Sequence, residues 1–257
     1  MEITTELVKE LRDKTGISVM QCRKALEEAA GDMEKAIAIL KKTSSSIAEK
    51  KMDREAKDGA VAVKVENGKA TLVALHCETD FVSKNDDFVQ LLNALVEKAA
   101  TEGAEAMKAA AKDMIDPIIQ KTGEKIELGE VSVVLGEVLG TYVHSNKKAV
   151  VVSLTGGNAD IARDVAMHIA AMRPEYMSAA EIDDNAKAMM RDVFEKEVAG
   201  SDKPEEIKQK MLEGKMATYF KEKTLVDQAF IKDSDLTVGA FLSKNGASIK
   251  EVNTYFI

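Results

Sequence analysis

His76-Cys77-Glu78-Thr79-Asp80-Phe81-Val82-Ser83-Lys84 carries the chain from a short apolar run, Leu72 to Cys77, into a segment where Phe88, Leu91, Leu92, Leu95, Val96 and Ala99 recur. The run has the length of a buried strand, and the recurrence is that of a helix with one apolar face. The polar crossing between them is expected to be a surface loop, and nothing local explains Phe81 in it. Loops on rigid scaffolds carry function, and an aromatic flanked by an acid and a hydroxyl suits insertion into a partner's pocket. The alternative, that Phe81 folds back against Phe88, fits the pattern equally well.

Upstream of the crossing, Val61, Val63 and Val65 alternate with Ala62, Lys64 and Glu66, and Asn67-Gly68 supplies a two-residue turn back through Ala70 to Cys77. This spells a hairpin. Downstream, the Ala-rich residues 104 to 113 read as helix, Asp116-Pro117 restarts a short helix ended by Gly123, and Val131, Val133 and Leu135 form a third strand. The plan recurs further on. Val138 to His144 and Ala149 to Leu154 make a second hairpin around Ser145-Asn146-Lys147, followed by a helix striped by Ile161, Val165, Ile169 and Met172. From Ala179 to Lys223 the pattern changes: Ile182, Ala186, Met189 and Val193, then Ile207, Met211, Gly214 and Phe220, predict an antiparallel coiled-coil hairpin inserted into the second half. A helix around Val238, Phe241 and Leu242 and a last strand from Ile249 to Ile257 complete an α+β chain.

The first residues read as three short helices. Thr4, Ser18 and Asp32 are their caps, Gly16 and Gly31 end the first two, and Ile3 with Val8 and Ser18 with Gln21 are spaced as a hydrophobic staple and a capping box. From Lys41 to Asp58 the sequence turns polar around Thr43-Ser44-Ser45-Ser46, which marks a linker. Its Lys pairs, Lys41-Lys42 and Lys50-Lys51, alternate with Glu49, Asp53 and Glu55 and read as a solvated surface.

With 257 residues, 45% apolar, the chain has material for a real core, and its net charge of -8 argues against a nucleic-acid partner. Cys22 and Cys77 stand in apolar patterns, as in a reducing cytoplasm. No apolar run has the length of a membrane span, and Met1-Glu2-Ile3-Thr4 enters a helix without the basic start of a secretion signal. Phosphate loops, dinucleotide fingerprints and metalloprotease motifs do not occur. The best enzyme reading would pair Cys77 with His76 as thiol and base, although adjacent strand residues point to opposite faces. His168 reads as a satisfied histidine on an apolar stripe. A structural adaptor built on the 179–223 hairpin is a third reading.

Two motifs in order, Leu11-Arg12-Asp13-Lys14-Thr15-Gly16-Ile17-Ser18-Val19-Met20-Gln21-Cys22-Arg23-Lys24-Ala25-Leu26 and Thr79-Asp80-Phe81-Val82, resemble the signatures of the elongation factor Ts family. The resemblance extends through Tyr142-Val143-His144, Ala171-Met172-Arg173-Pro174-Glu175-Tyr176 and Leu236-Thr237-Val238-Gly239. It implies a UBA-like three-helix domain with its linker over 1–54. A core would follow, with hairpin-plus-helix subdomains over 55–137 and 138–257, the second interrupted by the coiled-coil hairpin at 179–224. It also implies nucleotide exchange on elongation factor Tu by binding alone, with no cofactor, metal or catalytic residue on this chain. Thr79, Asp80, Phe81 and Val82 would form the loop inserted near the partner's Mg2+ site. Lys9, Arg12, Val19 and Met20 would contact the partner's nucleotide-binding domain, with a solvated helix face as the plain alternative for Lys9 and Arg12. His144 would be a further contact. Self-association through the hairpin is left open. Many members have Glu and Asn where this chain has Ala74 and His76, just upstream of the loop.

Overall fold

Each of the first three helices begins on a side chain that accepts an amide its first turn leaves open. In the computed structural model, which describes residues 3–257, α1 (Thr5–Thr15) starts at Thr4, whose hydroxyl accepts from the Leu7 amide, and ends at Gly16 in the left-handed region. α2 (Val19–Glu28) starts at Ser18 and α3 (Met33–Glu49) at Asp32. Ser18 also pairs with the Gln21 side chain at 2.9 Å. Val8, Leu11, Cys22, Ala25, Leu26, Ala36 and Leu40 form a small core, with Ile3 and Met33 against it. The secretion-signal reading placed on Met1 and Glu2 lies outside the described residues.

The polar stretch expected as a linker is helical as far as Glu49. Thr43 and Ser44 return their hydroxyls to the Ile39 and Leu40 carbonyls, so they do not compete with the helix for its backbone. Ser44 is buried and bonds Gln120, while Ser45 donates to Asp116 at 2.6 Å. Both acceptors lie on α6 (Ala104–Thr122). That contact makes a helix of a run whose composition spells a loop.

β1 (Asp58–Glu66) and β2 (Lys69–Cys77) form the expected hairpin, with Asn67 and Gly68 both at positive φ. β3 (Ile126–Leu135) pairs antiparallel with β2, giving the order β1-β2-β3. After β2 comes a single helical turn, α4 (Asp80–Ser83), where a loop was expected, and then α5 (Asp86–Glu102). Val73, Leu75 and Cys77 on the sheet, Phe88, Leu92 and Leu95 on α5, and Met107, Ala111, Ile115 and Ile119 on α6 share one core. The expected restart at Pro117 does not occur, because α6 runs through the proline unbroken. One missing hydrogen bond is outweighed by a buried stripe, Met107 to Ile119, that continues in steps of four across it.

The second half opens on the hairpin read from the sequence. β4 (Val138–His144) and β5 (Lys148–Thr155) form a hairpin in a sheet of order β4-β5-β8, with β8 spanning Ser248–Phe256. α7 (Ala159–Met172) lies against Gly140, where an added Cβ would fall 2.2 Å from the Ala162 carbonyl carbon. α8 (Asp184–Ala199) and α9 (Glu205–Lys223) are the inserted hairpin, but its seam differs from the expected one. Of the expected residues, Ile182, Ala186, Met211 and Phe220 turn inward but Met189, Val193, Ile207 and Gly214 are exposed; from Ala186 the inner face continues in steps of four through Met190, Phe194 and Val198, with Leu212 opposite. Phe194 packs edge-on against Tyr219 with centroids 5.8 Å apart, which places the bulky ring in the seam. A two-stranded ribbon that the sequence reading lacked, β6 (Ala229–Phe230) with β7 (Asp233–Thr237), precedes α10 (Val238–Lys244).

Helices and antiparallel strands thus combine as α+β, in two compact units. One runs to Leu135 and includes Val143–Ala149 and Tyr255–Ile257; the other holds Gly136–Tyr142 and Val150–Thr254. Among the described residues, no helix is long and apolar enough to cross a membrane.

Candidate functional site

At α4 the polarity of the chain inverts within three residues. Phe81 is 84% exposed, whereas Val82 and Ser83 after it are buried. Val82 joins the core of the first sheet, so it anchors the turn from below and presents Phe81 outward. Thr79 and Asp80 are exposed beside it. Asp80 accepts from Lys84 at 2.7 Å, one turn on, and this hydrogen bond raises the Lys84 pKa above its ordinary value. Phe88, against which Phe81 would have folded on the alternative reading, is fully buried.

The turn is fixed at both ends by residues the sequence reading did not single out. On the entry side, Glu124 accepts from the Glu78 and Thr79 amides at 3.1 and 3.0 Å and from the Thr79 hydroxyl at 2.6 Å. On the exit side, Lys147 donates to Ser83 Oγ at 3.2 Å and also to the Asp58 carboxylate and the Gly59 carbonyl. Burial pushes the Asp58 carboxyl up, but hydrogen bonds from Lys147, Ser83 and the Gly59 amide outweigh it and hold the group below the usual carboxylate range. His76, near the end of β2, has Nδ1 at 3.2 Å from the Asp58 carbonyl and Nε2 at 2.6 Å from the Tyr255 hydroxyl. Its ring occupies space that a Cβ on Gly129 would fill, 2.7 Å from Cδ2.

Val19 and Met20 open α2 and are 49% and 83% exposed, while Lys9 and Arg12 lie exposed on α1. The α1–α2 corner abuts α6, because a Cβ on Gly16 would fall 2.3 Å from Lys121 Nζ. Lys121 in turn donates to Asp87, in the first turn of α5, at 3.0 Å. The corner that carries Val19 and Met20 is therefore tied to the start of the helix that directly follows the Phe81 turn. His144 ends β4, exposed, at the hairpin tip that also supplies Lys147, and Asn146 of that tip accepts from the Val61 amide at 2.8 Å.

The thiol reading fails on geometry and acidity. Cys77 is buried and donates to the Thr79 carbonyl at 3.2 Å, and burial, followed by the nearby Asp58 and Glu124 charges, pushes its pKa up to about 12. A thiol so held stays protonated and is no nucleophile. His76 is committed to Asp58 and Tyr255. Among the described residues, no group of His, Cys, Asp and Glu is placed to hold a metal ion. The site presents one exposed aromatic on a turn held by Glu124 on one side and Lys147 on the other.

Comparison with known proteins gives one family throughout. The family model described as "Elongation factor TS" matches residues 78–257. The chain is 40% identical over 260 residues to a protein named elongation factor Ts from Hahella chejuensis, covering 98% of this chain and 91% of that one. It is 41% identical over 255 residues to the protein of that name from Cellvibrio japonicus, covering 96% and 88% of the two chains. A third such relative, from Pseudomonas fluorescens, is 40% identical over 256 residues, again covering 96% and 88%.

Proposed function

Because the chain belongs to the elongation factor Ts family, we propose that it acts on elongation factor Tu, binding the GDP-bound protein, speeding GDP release and leaving a nucleotide-free partner that takes up GTP. The observation that best supports this reading is the presentation of Phe81, a large aromatic 84% exposed on a turn whose next residues are buried. An aromatic anchor seated in a partner's pocket contributes about 2–4 kcal/mol as a hot spot. That is enough to favour a partner conformation in which the ligands of Mg2+ are displaced, and losing the metal removes the main charge holding a diphosphate.

Thr79, Asp80 and Phe81 make the insertion, and Val82 holds it from beneath. Lys9, Arg12, Val19 and Met20 contact the partner's nucleotide-binding domain, and His144 adds a contact from the second hairpin. The helical region over 1–54 serves as a UBA-like docking module on a core whose subdomains span 55–137 and 138–257. The work is done by binding, in the cytoplasm, without cofactor, membrane or direct nucleic-acid contact. Exchange then follows from linkage. Whatever free energy the factor takes from GDP binding, GDP takes from factor binding, about 1.4 kcal/mol for each tenfold change.

The test is release of a fluorescent GDP from purified elongation factor Tu, chased with unlabelled GDP, with and without this protein. Acceleration that Phe81→Ala largely abolishes supports the wedge. Acceleration that the variant leaves intact moves the origin of exchange to other contacts, and no acceleration rejects the reading.

A further inference from the structure

We infer that Glu124 is a positioning residue for Phe81, acting with Glu78 as a reciprocal carboxylate clamp where β2 and β3 part. The geometry stands by itself; its consequence for exchange rests on the function proposed above.

The backbone ladder between β2 and β3 ends at the pair Cys77 and Ile126. Beyond it one chain enters α4, and the other comes from α6 through Gly123, at φ 76. Two carboxylates continue the pairing where backbone carbonyls stop. Glu124 accepts from the amides of Glu78 and Thr79, and Glu78 accepts from the amide of Lys125 at 2.6 Å. The Lys125 amide, with Arg54 at 3.2 and 3.3 Å, holds the Glu78 carboxyl below its usual range, so it stays an acceptor. Hydrogen bonds to an ionised acceptor are the strong ones, and here they cross between the two strands in both directions.

Thr79 shows why this clamp sets the attitude of Phe81. It occupies the N-cap of α4 yet makes no side-chain bond into the turn. Its hydroxyl donates to Glu124 instead. A helix of one turn has no stability of its own, so the direction in which α4 leaves the sheet is imposed from outside. Phe81 is two residues past Thr79. With the exit held through Ser83, releasing Glu124 leaves the entry only the weak thiol bond from Cys77 to the Thr79 carbonyl and lets the ring sweep a wider range of directions. The cost then falls on docking, because a wedge that must be ordered on binding loses affinity that a preorganised one keeps.

The test uses the full-length chain with Glu124→Ala, Glu124→Gln, Phe81→Ala and the Glu124→Ala/Phe81→Ala double variant. Two measurements are made: amide hydrogen exchange of the free protein, and stimulated release of fluorescent GDP from elongation factor Tu. In Glu124→Ala the Glu78 and Thr79 amides should lose protection while those of the β2–β3 ladder keep it. Acceleration of GDP release should fall roughly tenfold, the equivalent of one charge-assisted hydrogen bond. Glu124→Gln, which retains one acceptor oxygen, should lie between and serves in place of the alanine variant if that fails to fold. In the Phe81→Ala background, removing Glu124 should cost nothing further, since a residue that acts through the ring has no effect without it. Unchanged protection at Glu78 and Thr79 would overturn the clamp. So would an equal loss in both backgrounds, which would mark Glu124 as a direct contact or a general stabiliser. If the unaltered protein does not accelerate release, the exchange reading falls and amide protection alone decides the clamp.

Discussion

Lys147 and Asp58, 89 residues apart, are joined by a hydrogen bond that links the tip of the second hairpin to the first residue of β1. The same ammonium reaches Ser83, so the pair lies directly under the exit of the Phe81 turn.

Removing the cation should therefore cost stability. Asp58 and Lys147 side chains are each 27% exposed, and Lys147→Met would leave the carboxylate without its partner. The expected loss is about 1–3 kcal/mol, read from urea unfolding at neutral pH. The acid limb gives the sign. Because the folded-state pKa of Asp58 is depressed, the unfolded chain takes up this proton first. The pair's contribution is complete above about pH 4 and is lost as the pH falls through the lower, folded value. Lys147→Met should flatten that limb.

Phe81→Ala should separate function from folding. The ring is 84% exposed, so its removal should move the unfolding free energy by no more than about 0.5 kcal/mol, while stimulated GDP release falls at least roughly tenfold. A variant that unfolds early in a thermal melt would show that the ring belongs to the core after all.

His168 predicts a second pH dependence, near neutrality. It is fully buried, with Nε2 at 2.8 Å from Gln228 Oε1 and Nδ1 at 3.2 Å from the Ile231 amide. The Ile231 amide only donates, so Nδ1 accepts and Nε2 carries the proton to Gln228. Burial holds the imidazole below its ordinary pKa, with the Gln228 bond opposing. The unfolded chain again protonates first: the contribution is complete above about pH 6.5 and declines as the pH drops toward the folded value. His168→Leu should be less stable at pH about 7.5 and show a shallower loss on going to about 5.5. Urea midpoints at the two pH values check it.

Both thiols should be silent in the native protein. Cys22 and Cys77 are buried, and Cys77 has its pKa pushed up to about 12. A colorimetric disulfide reagent should find neither before denaturation and both after it. Fast labelling of the native protein would reopen the thiol reading.

The α8–α9 hairpin should be dispensable for exchange. Its two ends are stitched together where the Glu175 and Tyr176 amides both donate to the Lys223 carbonyl, at 2.8 and 3.1 Å. A short Gly-Ser turn in place of 184–221 should leave that base closed and stimulated GDP release intact. The exposed Met189 and Val193 make sedimentation of the full chain and the deletion a direct test of self-association. Loss of all partner binding on deletion would favour the adaptor.

What could be read from sequence was short-range. Thr4, Ser18 and Asp32 meet the amides they cap three residues on, and Asn67-Gly68 needs only its own φ angles. The errors arise where packing overrides a local signal. Ser44 and Ser45 look like linker until Gln120 and Asp116 take their hydroxyls. Pro117 looks like a helix start until Ile115 and Ile119 are buried on either side of it. The pattern singled out Phe81 but left its exposure even with burial against Phe88, and it gave no sign of the residues that hold the turn. Thr79 and Glu124 are 45 residues apart, and His76 and Tyr255 are 179 apart. A single sequence has no pairing signal at such separations.

Tyr255 and Ile257 also set an order of events. The Ile257 amide donates to the Lys147 carbonyl at 2.9 Å, the same residue whose ammonium holds Ser83, and Tyr255 meets His76 near the end of β2. A chain is made from its N-terminus, so Phe81 leaves the ribosome long before the residues that underpin it. Until residues 255–257 follow, a growing chain carries the wedge on an unfinished footing.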